Sequence, residues 1–172
     1  MTASFTTAEI RTAVEVLASR PLIRLITEID DNGAIPPRRL AATLPDLSTH
    51  HLRIATETAR NHGLVRTVPG AGLELTHRGQ ELAGVYDAAA RWSRRHSPPA
   101  EVCEFTHRVR HVLGLLALQV SSKSAQDPAR PSAASWAGTE PETDPAHVRV
   151  LLLQWLAENP QLTYLSTYEP VA

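Results

Sequence analysis

The sequence predicts a mainly α chain with one small β-hairpin wing, class α+β. Three observations carry this. Apolar residues recur at helical spacing in segment after segment. One stretch alone, residues 64–75, reads as β-rich and alternating about a Pro-Gly-Ala-Gly tip. The breakers, such as Asp-Asn-Gly at 31–33 and Ser-Pro-Pro at 97–99, fall between the periodic segments. Hydrophobic residues make up 42% of the 172, which is enough to bury a core and argues against a disordered chain.

Thr6 and Glu9 have capping-box spacing, and Ile10, Val14 and Leu17 follow on one face, so a first helix is expected over about 7–18. Ser19 can cap a second helix, with Pro21 in its first turn and Leu22, Ile26 and Ile29 as its stripe. Ala34 and Ile35 allow only a stub of strand. "PPRRLAATL" is a short helix with Leu40 and Leu44 inward, and "PDL" is a turn. Ser48 then caps a helix that Gly63 ends. "LVRTV", "PGAG" and "LEL" make the hairpin. Thr76 caps a long helix carrying Leu82, Val85, Tyr86, Ala89 and Trp92. A further helix over about 100–120 has Val102, Phe105, Val109, Val112, Leu113 and Leu116 on one side. Residues 121–144, rich in Ser, Ala and Pro, read as a flexible linker. Asp144 and Pro145 give a cap and a first helical position for a last helix with Val148, Leu151, Leu152 and Trp155 on one face.

A short helix, a tight turn, a longer capped helix and a glycine-tipped hairpin follow one another in the order of a winged helix-turn-helix. The expected organisation is therefore a winged helix-turn-helix with extra N- and C-terminal helices. Residues 1–97 form the DNA-binding domain and 98–120 a dimerisation helix. Residues 121–144 form the linker, and 145–172 the C-terminal helix and tail.

Net charge is −1, which exerts no global pull on nucleic acid. Its distribution is uneven. Residues 36–66 hold five arginines against Asp46 and Glu57. On a helical wheel Leu52, Ala55 and Ala59 cluster, while His50, Arg53, Ile54, Glu57, Arg60 and Asn61 spread over the other side. Read alone, this helix is equally a solvated surface helix. The hairpin after it and the arginines around it favour a recognition helix over about 48–62 in the major groove, with the wing at about 64–75 on flanking backbone.

Arg53 is the expected base reader, because its fork fits guanine O6 and N7. His50 and Thr49 come next. Ser48 and Thr49 can also donate to phosphate at the helix N-terminus. Arg38 and Arg39 suit backbone clamping, Arg60 joins them on the outward face, and Arg66 reaches from beside the wing. Glu57 can accept from cytosine or pair with Arg53 or Arg60.

"LPDLSTHHL…NHGLVRT…LELTHRGQEL…AARWSRRH" resembles the HxlR-type winged-helix transcriptional regulators. The elements are Leu44-Pro45, Ser48, Leu52, Gly63-Leu64-Val65-Arg66, Leu75-Thr76 with Gly79, and Trp92, over about residues 17–96. "GLV" and "LT-x-x-G" are shared with other winged helices. The chain departs from the family in lacking an N-terminal cysteine and in having Pro21-Leu22 where a tryptophan is usual, so thiol sensing by such a cysteine does not carry over. The resemblance implies a homodimer, built through terminal helices, on a pseudo-palindromic duplex DNA operator.

Other functions leave weaker marks. Cys103, His107 and His111 lie at i, i+4, i+8, but successive four-residue steps drift about 40°, so they converge poorly on a metal. No metal or other cofactor is expected. No nucleophile elbow, P-loop, zincin or dinucleotide motif occurs, and no enzyme is expected. Trp92, Phe105, Trp136 and Trp155 offer core or dimer packing, or the lining of a small-molecule effector pocket. The alternatives are therefore a small-molecule or metal/redox-sensing module, or a protein-interaction winged helix without DNA binding. One cysteine, no signal-peptide pattern and no apolar run of membrane length point to a cytoplasmic protein with no membrane partner.

Overall fold

The computed structural model describes residues 5–96, 104–123 and 145–162. Within them the fold is helical, with one two-stranded antiparallel sheet. Helix α1, Thr7–Leu17, starts on a complete capping box: Thr6 Oγ1 accepts from Glu9 N at 3.3 Å and Glu9 Oε2 from Thr6 N at 2.7 Å. The Thr6 N–H and, beside it, the Thr6 hydroxyl both donate to Oε2 and hold the Glu9 carboxyl below its usual range.

Helix α2, Arg20–Asn32, is the centre of the molecule. It buries Leu22, Ile23, Leu25, Ile26 and Ile29, a wider face than one stripe, because α4, α5, α6 and the hairpin all pack on it. Ser19 occupies its cap position without capping by its side chain, contrary to expectation. Pro21 at the second helical position has no N–H, which leaves only the Leu22 N–H as a partner for a cap hydroxyl.

Ile35 extends the hairpin by an isolated bridge to Leu73, with backbone bonds of 2.9 and 2.8 Å. The short helix expected over "PPRRLAATL" is a 3₁₀ turn, Pro37–Arg39, continued by one α turn, α3, Leu40–Thr43. Leu40 and Leu44 face inward as expected. After the turn come α4, Thr49–Asn61, then β1, Val65–Val68, and β2, Gly72–Leu75. Val65 pairs with Leu75 and Arg66 with Glu74.

Helix α5, His77–His96, buries Leu82, Val85, Tyr86 and Ala89. The Tyr86 hydroxyl donates to Leu17 O at 2.7 Å, so α5 and the end of α1 share a bond inside the core. Helix α6, Phe105–Lys123, packs on α5, α1 and α2. The apolar face assigned to dimerisation, Val109, Val112, Leu113 and Leu116, is thus covered by its own chain. Helix α6 continues to Lys123, past the 121 at which the linker is expected to begin, and residues 124–144, the rest of that expected linker, lie outside the described residues. Helix α7, Ala146–Glu158, docks on α5 through Val148, Leu152, Trp155 and Leu156. Pro145 stands at its cap position rather than at its first helical position, and Asp144 lies outside the described residues. Among the described residues no helix is long and apolar enough to cross a membrane.

Candidate nucleic-acid interface

Helix α4 divides as its sequence divides. Leu52, Ala55 and Ala59 are buried, while Thr49, His50, His51, Arg53, Ile54, Glu57, Arg60 and Asn61 are exposed. Two alanines on the inner face let the helix lie close to α2, which leaves the longer polar side chains to point away. Its start is tied by Ser48, whose hydroxyl accepts from His51 N at 3.2 Å and contacts His51 Nδ1 at 3.0 Å. His51 is thereby turned back onto the cap. Its ring centroid lies 6.0 Å from that of His50 at a tilt of 54°.

On the outer face Arg53 Nη1 donates to Glu57 Oε1 at 3.1 Å, with both side chains more than half exposed. Of the two helix partners the sequence allowed Glu57, the structure gives it Arg53. Arg60 Nη2 donates to Thr67 Oγ1 at 3.3 Å and so joins the end of α4 to β1. Arg66 Nη2 reaches across the ladder to Glu74 Oε1 at 3.1 Å, so its charge is answered within the hairpin. Arg38 and Arg39 are exposed on the 3₁₀ turn before α3. Ser48, Thr49, His50 and Arg53 are therefore brought together on the first turns of α4, and Arg60 and Arg66 flank the hairpin.

Two supports of this face carry no local signal in the sequence. The first is a bidentate ion pair: Arg24 Nε and Nη2 donate to Asp46 Oδ2 and Oδ1 at 3.0 and 3.1 Å, with Arg20 at 3.5 Å. It fastens α2 to the turn just before Ser48. The hydrogen bond to Arg24 holds the Asp46 carboxyl below its usual range, and the same bond raises Arg24. The second is the C-terminal segment. Gln161 Nε2 donates to His62 O at 3.0 Å, beside the end of α4, and Trp155 Nε1 donates to Arg78 O at 3.0 Å. His62 is buried, and burial pushes its imidazole below its ordinary value. The partners are 22 and 99 residues apart in sequence, so neither contact shows in any periodicity.

A groove of about 640 Å³ opens beside the Arg24–Asp46 pair, lined also by Arg20, Arg94, Glu104 and the ring of Phe105. Of the three tryptophans, Trp92 stacks on His96 at 4.7 Å, Trp155 is core, and Trp136 lies outside the described residues. His107 and His111 are exposed on α6 and line a second groove with Arg11, Glu15 and Arg110. The third member of that stripe, Cys103, lies outside the described residues, among which no group of three or more His, Cys, Asp or Glu could hold a metal. No protein-family model, curated protein or solved structure matches the chain.

Proposed function

We propose that the chain is a sequence-specific DNA-binding regulator of transcription that acts as a homodimer through a winged helix-turn-helix. In this reading α3 and α4 are the helix-turn-helix, and β1 and β2 the wing. Helix α4 enters the major groove of duplex DNA by its first turns. Arg53 reads a base, His50 and Thr49 assist, and the N-terminus with Ser48 meets phosphate. Arg38, Arg39, Arg60 and Arg66 hold backbone on either side.

One observation carries the reading. Helix α4 is fixed from behind at both ends, yet among the described residues no element of the fold is laid over its outer face. A helix held that firmly and covered on one side only is placed for presentation. The HxlR-type resemblance adds dimerisation. Because the apolar side of α6 is consumed within the chain, the outer sides of α1 and α6, where Leu118 is 66% exposed, are the surface a second copy would use. The groove beside Asp46 is the place this reading gives to a small-molecule effector.

The test is selection of bound sequences from a random duplex library, followed by affinity against salt. A palindrome with half-site centres about 34–36 Å apart is expected. Arg53→Ala should lose about 1–3 kcal/mol at one base pair per half-site and relax the preference there. If no duplex is enriched at low salt, the chain does not read DNA and a protein-interaction role takes its place.

A further inference from the structure

Ile54 stands on the face of α4 that carries Arg53 and Glu57, and 41% of it is exposed. Leu118 and Val150 are the other large hydrophobic residues exposed among the described ones, and both lie on later helices. Single exposed apolar residues are ordinary, so exposure by itself decides nothing. Position does. On the helical wheel Ile54 lies about 160° from Leu52 and about 100° from Ala55, so it projects outside the buried arc. No small rotation of α4 would bring it into the core. Nor does helix formation ask for it, because a β-branched side chain is a poorer helix former than Lys, Glu or Ala at an exposed position.

We propose that Ile54 is a specificity-determining residue that packs on the 5-methyl group of a thymine next to the base pair read by Arg53. The inference rests on the DNA-reading proposal and gives it a sequence content. In the major groove the thymine methyl is the one apolar feature on a base edge, and it is the complement of an apolar side chain on an otherwise polar helix face. His50 lies one turn before Ile54, while Arg53 and Glu57 lie beside it. The methyl-reading side chain thus sits between groups that read or position by hydrogen bond. A cytosine at that pair lacks the methyl and leaves Ile54 without its apolar complement, so the same residue favours thymine.

The experiment uses the full chain and the duplex obtained by library selection. Each thymine is replaced in turn by deoxyuridine, which removes the methyl and nothing else. Wild-type affinity should fall about fourfold at one thymine per half-site, which is the worth of a buried methyl at about 0.8 kcal/mol. Ile54→Ala should bind the thymine and deoxyuridine duplexes equally, while Ile54→Val should keep part of the difference. The site is exposed, so Ile54→Ala should unfold at or above the wild-type temperature and Ile54→Val close to it. Equal binding of every deoxyuridine duplex by the wild type overturns the inference and leaves the DNA-reading proposal standing. So does a penalty that Ile54→Ala leaves unchanged. Failure to enrich any duplex overturns both.

Discussion

Arg53 and Glu57 lie one turn apart on α4, and their 3.1 Å contact decides what each can offer. An exposed pair at this spacing is worth only about 0.3–0.5 kcal/mol, so it does little for the fold. Its effect is on geometry. The carboxylate holds one arm of the guanidinium and limits where the fork can point, and it sets a negative charge on the face proposed to meet phosphate. Glu57→Gln should therefore act in two directions. Binding to unrelated duplex should tighten and its salt dependence steepen, because a repelling charge has gone. Preference at the Arg53 base pair should weaken, because the fork is no longer held. Titration of selected and scrambled duplexes over a salt series reads both effects. A loss of affinity for both duplexes alike would mean that Glu57 supports α4 itself. At this scale the outward residues of α4 were legible in the sequence, since Leu52, Ala55 and Ala59 fix the wheel. The pairing of Glu57 was not, because two arginines stood within a turn of it and only packing chooses between them.

The hairpin is held to the helices by glycine. Gly72 has φ +114°, and a Cβ there would overlap the carbonyl of Ile35 and the Cα of Pro36. That close approach is the Ile35–Leu73 bridge, which makes the hairpin a third strand wide at one point. The sequence showed a glycine tip and a two-residue stub, but not that the stub pairs with β2. Stubs of that length have no period of their own, and their partner is set by where α2 ends. Three alanine substitutions separate these effects. Gly72→Ala should cost about 2–4 kcal/mol, from strain and from loss of the bridge. Gly70→Ala, at φ +81° with nothing within 4 Å, should cost about 1–2 kcal/mol from backbone conformation alone. Gly84→Ala, inside α5 with open space around it, should stabilise by about 0.5–1 kcal/mol. Urea unfolding with an unchanged slope orders the three, and a Gly72→Ala variant no weaker than Gly70→Ala would mean the bridge is not formed.

Across the whole molecule, α4, the proposed reading helix, is fixed at its front by Arg24 and Asp46 and near its back by Gln161 and the buried His62. Both ends contain a group that acid changes. The element order that suggests a reading head was visible in the sequence, but these tethers join residues from distant parts of the chain and emerge only when the helices are packed. Their titrations have the same sign. Burial depresses His62 below 6.5, so the unfolded chain binds the proton more readily than the folded one. Its contribution is complete above about 6.5 and declines as pH falls below that value. Asp46 is depressed below 3.8 by its bond to Arg24, so its contribution is complete above about that value and is lost as pH falls through its folded value. Stability should therefore fall in two separate steps on acidification. Replacing His62 by Leu should flatten the first step and leave the second. Asp46→Asn should lower stability by about 1 kcal/mol near neutral pH, as for a partly exposed bidentate pair, and shrink the second, to which the depressed Glu9 carboxyl also contributes. Urea midpoints measured from about pH 8 down to about pH 2 on the three proteins read both steps. If both steps persist in the two variants, acid acts on other groups. If both flatten, and protection of the α4 amides from exchange falls first on acidification of the wild type, the two ends of α4 are the parts of the fold that acid loosens.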